Sequence, residues 1–310
     1  MQSKIMKKNA EGRRRNRIFQ RSASNNIVFG VVMFVLVVIC LVQLYLVLWM
    51  IMSSLKDDVD FFLDIFGLPS VFHFENYSGI FSLLRVEIFV AGQGYVTYNI
   101  WDMFLNSVLI ALLTPINTIV MNILVAYVLS KIDFKAKGFL LGLNFIVMII
   151  PIIGNLSSQL VINNMIGRYD ILFMMSIMGG QPFGMAVLMY MSAFKAIPND
   201  YMDAASIDGA GYFQTFLKIM LPPVLPMALV FYMLAVMASW ADYQTPLVWL
   251  PSYPNLAIGM YRFQFDVAKY GATMPQVLAG FVLMSIPSVL FFLANQSLIT
   301  KNLMIGGLKG

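Results

Sequence analysis

Six stretches of the chain, residues 27–52, 103–129, 139–162, 171–194, 222–241 and 276–300, are apolar almost without interruption, and polar residues collect between them. A helix rises about 1.5 Å per residue and the hydrocarbon core of a bilayer is roughly 30 Å thick, so about 20 apolar residues make one crossing. The pattern therefore predicts an all-α membrane protein with six transmembrane helices. The first run is far longer than the apolar core of a cleaved signal and lacks a small-x-small exit, so it reads as a retained anchor. Segments 53–102 and 242–275 are long enough to fold on their own side of the membrane. The first carries Gly67-Leu68-Pro69-Ser70 and Gly92-Gln93-Gly94, a texture of short helices and irregular chain packed on the membrane face.

Composition agrees with lipid as the main solvent. Hydrophobic residues make up 60% of the chain and charged residues only 11%, where soluble domains approach a quarter; mean hydropathy is +0.79. The formal charge of +5 does not point to nucleic acid, because eight of the twenty basic residues precede residue 22 and no basic stripe follows. Counted by side, fifteen Lys and Arg fall with the termini and five (Lys56, Arg85, Arg168, Arg262, Lys269) opposite, which places both termini in the cytoplasm. Residues 1–26 then form a basic cytoplasmic tail and 27–310 one membrane domain. With Cys40 and His73 the only residues of their kinds, a disulfide framework, a cysteine metal site and histidine-dependent catalysis are set aside, and neither a metal site nor a catalytic residue is expected.

The loop between the fourth and fifth runs is unlike the others. From Pro198 to Pro222 it reads as two short helices: Asn199 is placed to cap the first, Asp200 and Asp203 sit at its positive end, and Gly209 supplies a left-handed stop. Beyond the turn, Phe213, Phe216, Leu217 and Met220 recur at i, i+3, i+4, i+7, one apolar face ahead of Pro222-Pro223. Such a stripe covers either the ends of the chain's own helices or another protein. Two features favour the second: the run of minimal side chains at Ala204, Ala205, Gly209, Ala210 and Gly211, and the acidity of Asp200, Asp203 and Asp208 on an otherwise basic side.

This segment resembles the EAA loop of the membrane subunits of binding-protein-dependent ABC importers, in which Glu-Ala-Ala, Asp-Gly-Ala and Ile-x-Leu-Pro recur at fixed spacing. The matching positions are Asp203-Ala204-Ala205, Asp208-Gly209-Ala210 and Ile219-Met220-Leu221-Pro222. Asp203 replaces the usual Glu and shortens the carboxylate by one methylene. Asn76-Tyr77, Asn106-Ser107 and the ending Gly306-Gly307-Leu308-Lys309-Gly310 resemble the maltose-type, sugar-importing branch.

The resemblance implies a permease of a bacterial inner membrane that moves a sugar or oligosaccharide. Its implied partners are a pair of ABC ATPase subunits, a second and different permease subunit, and an extracellular solute-binding protein. The loop from Pro198 to Leu217, with Asp203, Ala204, Ala205, Asp208, Gly209, Ala210, Phe213, Phe216, Ile219, Leu221 and Pro222 as its marked positions, would then be a coupling helix seated in an ATPase. The chain contains no G-x-x-x-x-G-K-[ST], so it binds no cofactor itself; ATP and Mg²⁺ belong to the partner ATPase, and this chain is not an enzyme. The rival readings are a stand-alone secondary transporter or channel, which should show ionisable residues in its spans or a repeated half, and an ABC permease for a non-sugar solute.

Polar residues inside spans are costly enough to mark a path. Asn144, Asn155, Gln159 and Gln181 are the candidates for the solute path, because Pro151-Ile-Ile-Gly-Asn155 and Gly180-Gln-Pro-Phe-Gly184 break the helical pattern beside them. Hydrogen bonding between helices is the competing role for each.

Overall fold

The structure is a computed structural model that describes residues 23–90, 92, 94–150, 156–178 and 180–305. Among the described residues, four helices are long and apolar enough to cross a membrane: Asn26–Ser53, Ile100–Lys131, Tyr212–Trp240 and Met274–Leu298. They lie in α1 (Ala23–Ser53), α4 (Ile100–Lys131), α11 (Leu221–Trp240) with the turns that precede it, and α14 (Met274–Ile305). Before α4 come α2 (Asp58–Leu63) and α3 (Glu75–Leu83). The predicted third crossing consists of α5 (Lys137–Ile149) and α6 (Leu156–Met165), and the fourth of α7 (Leu172–Met178) and α8 (Met185–Lys195). At 1.5 Å per residue, the 13 residues of α5 reach only about 20 Å. The helical pattern of the fourth crossing fails where the sequence places Gly180, Pro182 and Gly184, the last at φ 145°.

An all-α reading omits one element. β1 (Arg85–Val90) pairs antiparallel with β2 (Gly94–Asn99), in register from Arg85 opposite Asn99 to Val90 opposite Gly94. Its signal is short but legible: Val86, Ile88 and Val90 alternate inward while Arg85, Glu87 and Phe89 face out. Gly92 and Gly94, at φ 83° and 81°, make the turn that a side chain would strain. The hairpin hands the chain to α4 through a capping box: the Asn99 carboxamide oxygen accepts from the backbone N–H of Trp101 and Asp102, and the Asp102 carboxylate accepts from Asn99 N–H at 3.1 Å.

The two larger apolar clusters among the described residues lie one toward each end of the antiparallel pair α4 and α11. Near the start of α4, Met103, Ile80, Leu84 and the inward hairpin residues pack with Trp240, Met260, Phe263 and Ala279. Near its end, Ile123, Tyr127 and Leu129 pack with Val187, Tyr190, Phe194, Phe216, Met220 and Val224. Asn106 and Ser107 join α4 to the start of α13 (Leu256–Phe265): the Asn106 amide donates to Pro254 O at 3.0 Å, and the Ser107 hydroxyl accepts from Leu256 N–H at 2.8 Å. α1 is apolar all round; none of its most hydrophobic window is buried.

Asn76-Tyr77 ties the end of α1 to α3. The buried Asn76 amide donates to Ser54 O and Lys56 O at 2.9 and 2.8 Å, and the Tyr77 hydroxyl meets Ser54 Oγ at 2.6 Å. Asn76→Ala removes both donors from a buried site and is expected to cost about 1–3 kcal/mol, read as a lower midpoint of thermal unfolding in detergent. An unchanged midpoint contradicts this role.

Candidate functional site

The loop from Ile197 to Leu221 is built as a protruding helix on a buried base. α9 (Asp200–Ile207) ends in a complete Schellman motif: Ala210 N–H donates to Ala205 O at 2.9 Å and Gly209 N–H to Ser206 O at 3.1 Å. Gly209 sits at φ 76°, in open space, so the backbone angle and not crowding demands glycine there. α10 (Tyr212–Thr215) follows, and then a π-helical turn, Phe216–Met220, in which Leu221 N–H reaches back to Phe216 O before α11 begins.

That π turn reapportions the predicted stripe. Phe216 and Met220 turn into the protein, 7% and 0% exposed, whereas Phe213 and Leu217 stay out at 72% and 42%. The sequence pattern assumed uniform α-helical pitch, and a wider turn carries i+3 neighbours off the common face. Inward, the Phe216 ring lies 4.8 Å from that of Tyr127, which lies 5.5 Å from Phe194. This joins the loop to α4 and α8.

Asn199 does not cap α9 with its side chain. Its carboxamide oxygen instead accepts from Lys131 Nζ at 2.7 Å, and the same ammonium donates to Ile197 O at 2.5 Å. Lys131, one of the fifteen basic residues on the side of the termini, is thus a second strut between α4 and the loop.

Of the marked positions, Ala205 is buried, Ala210, Ile219 and Leu221 are half-buried, and Asp203, Ala204, Asp208, Gly209 and Pro222 are exposed. Among the described residues Asp203 and Asp208 form no ion pair. The tip also presents side chains that the periodicity did not select: Ile207, Tyr212 and Tyr201 are 87%, 79% and 57% exposed. Their signal was plain size, large apolar residues flanking a glycine turn in a polar loop.

The four solute-path candidates separate. Gln159 and Gln181 share the wall of a cavity of about 690 Å³ with Thr118, Arg168, Asp242 and Trp249. Asn144 is fully buried elsewhere, its side-chain oxygen accepting from Gly184 N–H at 2.7 Å, a bond between α5 and the start of α8. Asn155 lies outside the described residues. The cavity spans from Pro115, midway along α4, to Asp242 beyond the end of α11. Pro115 lacks the N–H that would serve the carbonyl four residues earlier, so a break in the ladder lies beside the cavity.

A family model described as "Binding-protein-dependent transport system inner membrane component" matches residues 118–303, which include the whole protruding loop. The chain belongs to that family. As a permease of this kind it is a multi-pass inner membrane protein and not an enzyme; ATP hydrolysis falls to a separate subunit of the ABC importer. The permease is 31% identical over 215 residues to the arabinooligosaccharides transport system permease protein AraQ of Halalkalibacterium halodurans, covering 68% of this chain and 75% of that one. It is 26% identical over 268 residues to the trehalose transport system permease protein SugB of Mycobacterium tuberculosis, covering 85% and 92%. Its fold is similar to a chain in the crystal structure of a bacterial ABC transporter involved in the import of the acidic polysaccharide alginate. That match has a TM-score of 0.66 and 19% identity over 89% of this permease and 98% of the other.

Gly209→Ala forces a side chain into the left-handed region, at about 1–2 kcal/mol, so exchange at the Gly209 and Ala210 amides is expected to quicken roughly 5- to 30-fold. Gly211→Ala, at φ −74°, is the control and leaves those rates unchanged. Hydrogen exchange in detergent measures both, and equal rates in the two variants contradict the assignment.

Proposed function

We propose that this permease moves a sugar or oligosaccharide into the cytoplasm, with the loop 198–217 as the coupling helix that receives the motion of a partner ATPase. The observation that carries the coupling role is the loop's division into two parts. Its base is locked to α4 and α8 by Phe216, Met220 and Lys131, while its tip leaves Tyr201, Ile207, Tyr212 and Phe213 uncovered. Large apolar side chains exposed on a structured tip mark a protein interface. The names of the relatives that import arabinooligosaccharides and trehalose support the substrate class.

In this reading α5 with α6 and α7 with α8 make the third and fourth of six crossings, both termini are cytoplasmic, and 1–26 is a basic tail ahead of the membrane domain 27–310. The assembly is a pair of ATPases that hold ATP and Mg²⁺, a second and different permease, and an extracellular binding protein that delivers the solute. Nucleic acid has no part in it. Spans cannot lengthen in lipid, so a displaced coupling helix rocks α4, α8 and α11 as bodies, and alternating access follows. A stand-alone secondary transporter would have no use for a braced helix with an apolar tip.

Gly209→Val is expected to leave membrane insertion intact while uptake falls severalfold relative to ATP hydrolysis in proteoliposomes. Normal uptake with normally stimulated hydrolysis contradicts the coupling role. Cysteines at Ala204, exposed, and in the groove of the ATPase should crosslink in an active complex, and the same test at the buried Ala205 should not; no crosslink at Ala204 counts against docking.

A further inference from the structure

Backbone that leaves the helical ladder at membrane depth persists only inside protein or beside water. Residues 180–184, between α7 and α8, are such a stretch, and Gln181 within it is exposed on the wall of the 690 Å³ cavity. That volume falls within the span of roughly 300–1,000 Å³ usual for small-molecule sites. Its polar equipment comes from five separate elements: Thr118 on α4, Gln159 on α6, Gln181, Ser239 on α11, and Gln244 with Trp249 on α12 (Gln244–Trp249).

One side chain of the cavity wall, Trp249, is held by a residue outside the lining. Asp170, the one non-glycine residue with positive φ among those described (58°), donates its N–H to Trp249 O at 2.9 Å. Its carboxylate accepts from Ser252 N–H at 2.9 Å and from Ser252 Oγ at 2.5 Å. Backbone in a sparsely populated region is held in place by its surroundings, and such residues gather at functional sites. Here the strained residue fastens the carbonyl of Trp249 and the backbone three residues beyond it, and so constrains where the half-buried indole stands.

The chemistry of the wall narrows the ligand. Arg168 and Asp242 offset each other in charge, and the Asp242 carboxylate already accepts from the backbone N–H of Gln244 and Thr245 at 2.8 and 3.1 Å. What is left is three carboxamides, each able to donate and accept, the hydroxyls of Thr114, Thr118, Ser239 and Thr245, and one indole face. Neutral rings with many hydroxyls and an apolar C–H face fit that set; an anion or a metal ion does not.

We infer that this cavity is a saccharide subsite carried by this permease itself, with Trp249 as the platform for a sugar ring and Gln159, Gln181 and Gln244 as hydroxyl partners. The inference rests on the reading that the permease imports sugars. Its test uses the complete complex with its binding protein in proteoliposomes, and neutral di- and trisaccharides, trehalose and galactobiose among them, as probes. Cys40, the only cysteine, is replaced by serine, and Ala238→Cys places a reporter on the cavity wall.

A transported sugar is expected to slow labelling of that cysteine by a charged methanethiosulfonate severalfold during turnover. Trp249→Ala is expected to raise the half-saturating sugar concentration about tenfold, the loss of one well-placed contact, with Trp249→Phe restoring most of it. Labelling that the transported sugar does not slow overturns the subsite and leaves the sugar reading standing, whether or not Trp249→Ala assembles. So does an assembled Trp249→Ala complex with ordinary half-saturation. Uptake of none of the saccharides by a complex that hydrolyses ATP overturns the sugar reading and the subsite with it.

Discussion

The interaction on which the rest depends is the aromatic contact between Tyr127 and Phe216, backed by Phe194. It joins three elements within one buried cluster: the end of α4, the end of α8 and the π turn that leads into α11. Phe194 and Met220 in the same cluster are fully buried, so the loop's base has little room to yield. Interiors packed to this density shift between arrangements and do not deform smoothly. In the proposed coupling, a push on α9 is therefore handed on to the spans as rigid-body motion.

Polar bonds complete that bracing at sites where packing alone is ambiguous. Lys131 spans from the last turn of α4 to Ile197 O and Asn199, and Thr114 meets Ser239 at 3.1 Å across the α4 and α11 interface. At the opposite end Asn106 and Ser107 fasten α4 to α13, and Tyr98 reaches Ser252 O from the hairpin. The polar cavity lies between these two fastened ends, next to the helix interrupted at Pro115 and the non-helical stretch at 180–184. In the proposed coupling, movement of the braced end relative to the other changes the walls of this cavity.

Much of this was legible in the sequence because lipid imposes it. Long apolar runs gave α1, α4, α11 and α14 to within a few residues outside the turns leading into α11, since a crossing has one length and one composition. Gly209 was legible because a left-handed stop admits few other residues. The breaks beside Gln181 were legible because proline and glycine interrupt a ladder wherever they fall.

The remainder depended on geometry that periodicity does not encode. Phe213 and Leu217 left the common face because five residues adopt a π turn, and Asn199 lost its capping role because Lys131, 68 positions earlier, claims its oxygen. The hairpin was missed because six alternating residues are a weak pattern beside helices of thirty. The central claim is that Tyr201, Ile207, Tyr212 and Phe213 form a surface covered by an ATPase, and hydrogen exchange over 198–217 in the permease with and without its ATPase subunits tests it most directly. The account predicts strong protection confined to this loop when the ATPases are bound and its loss when they are removed; identical exchange in the two states would contradict it.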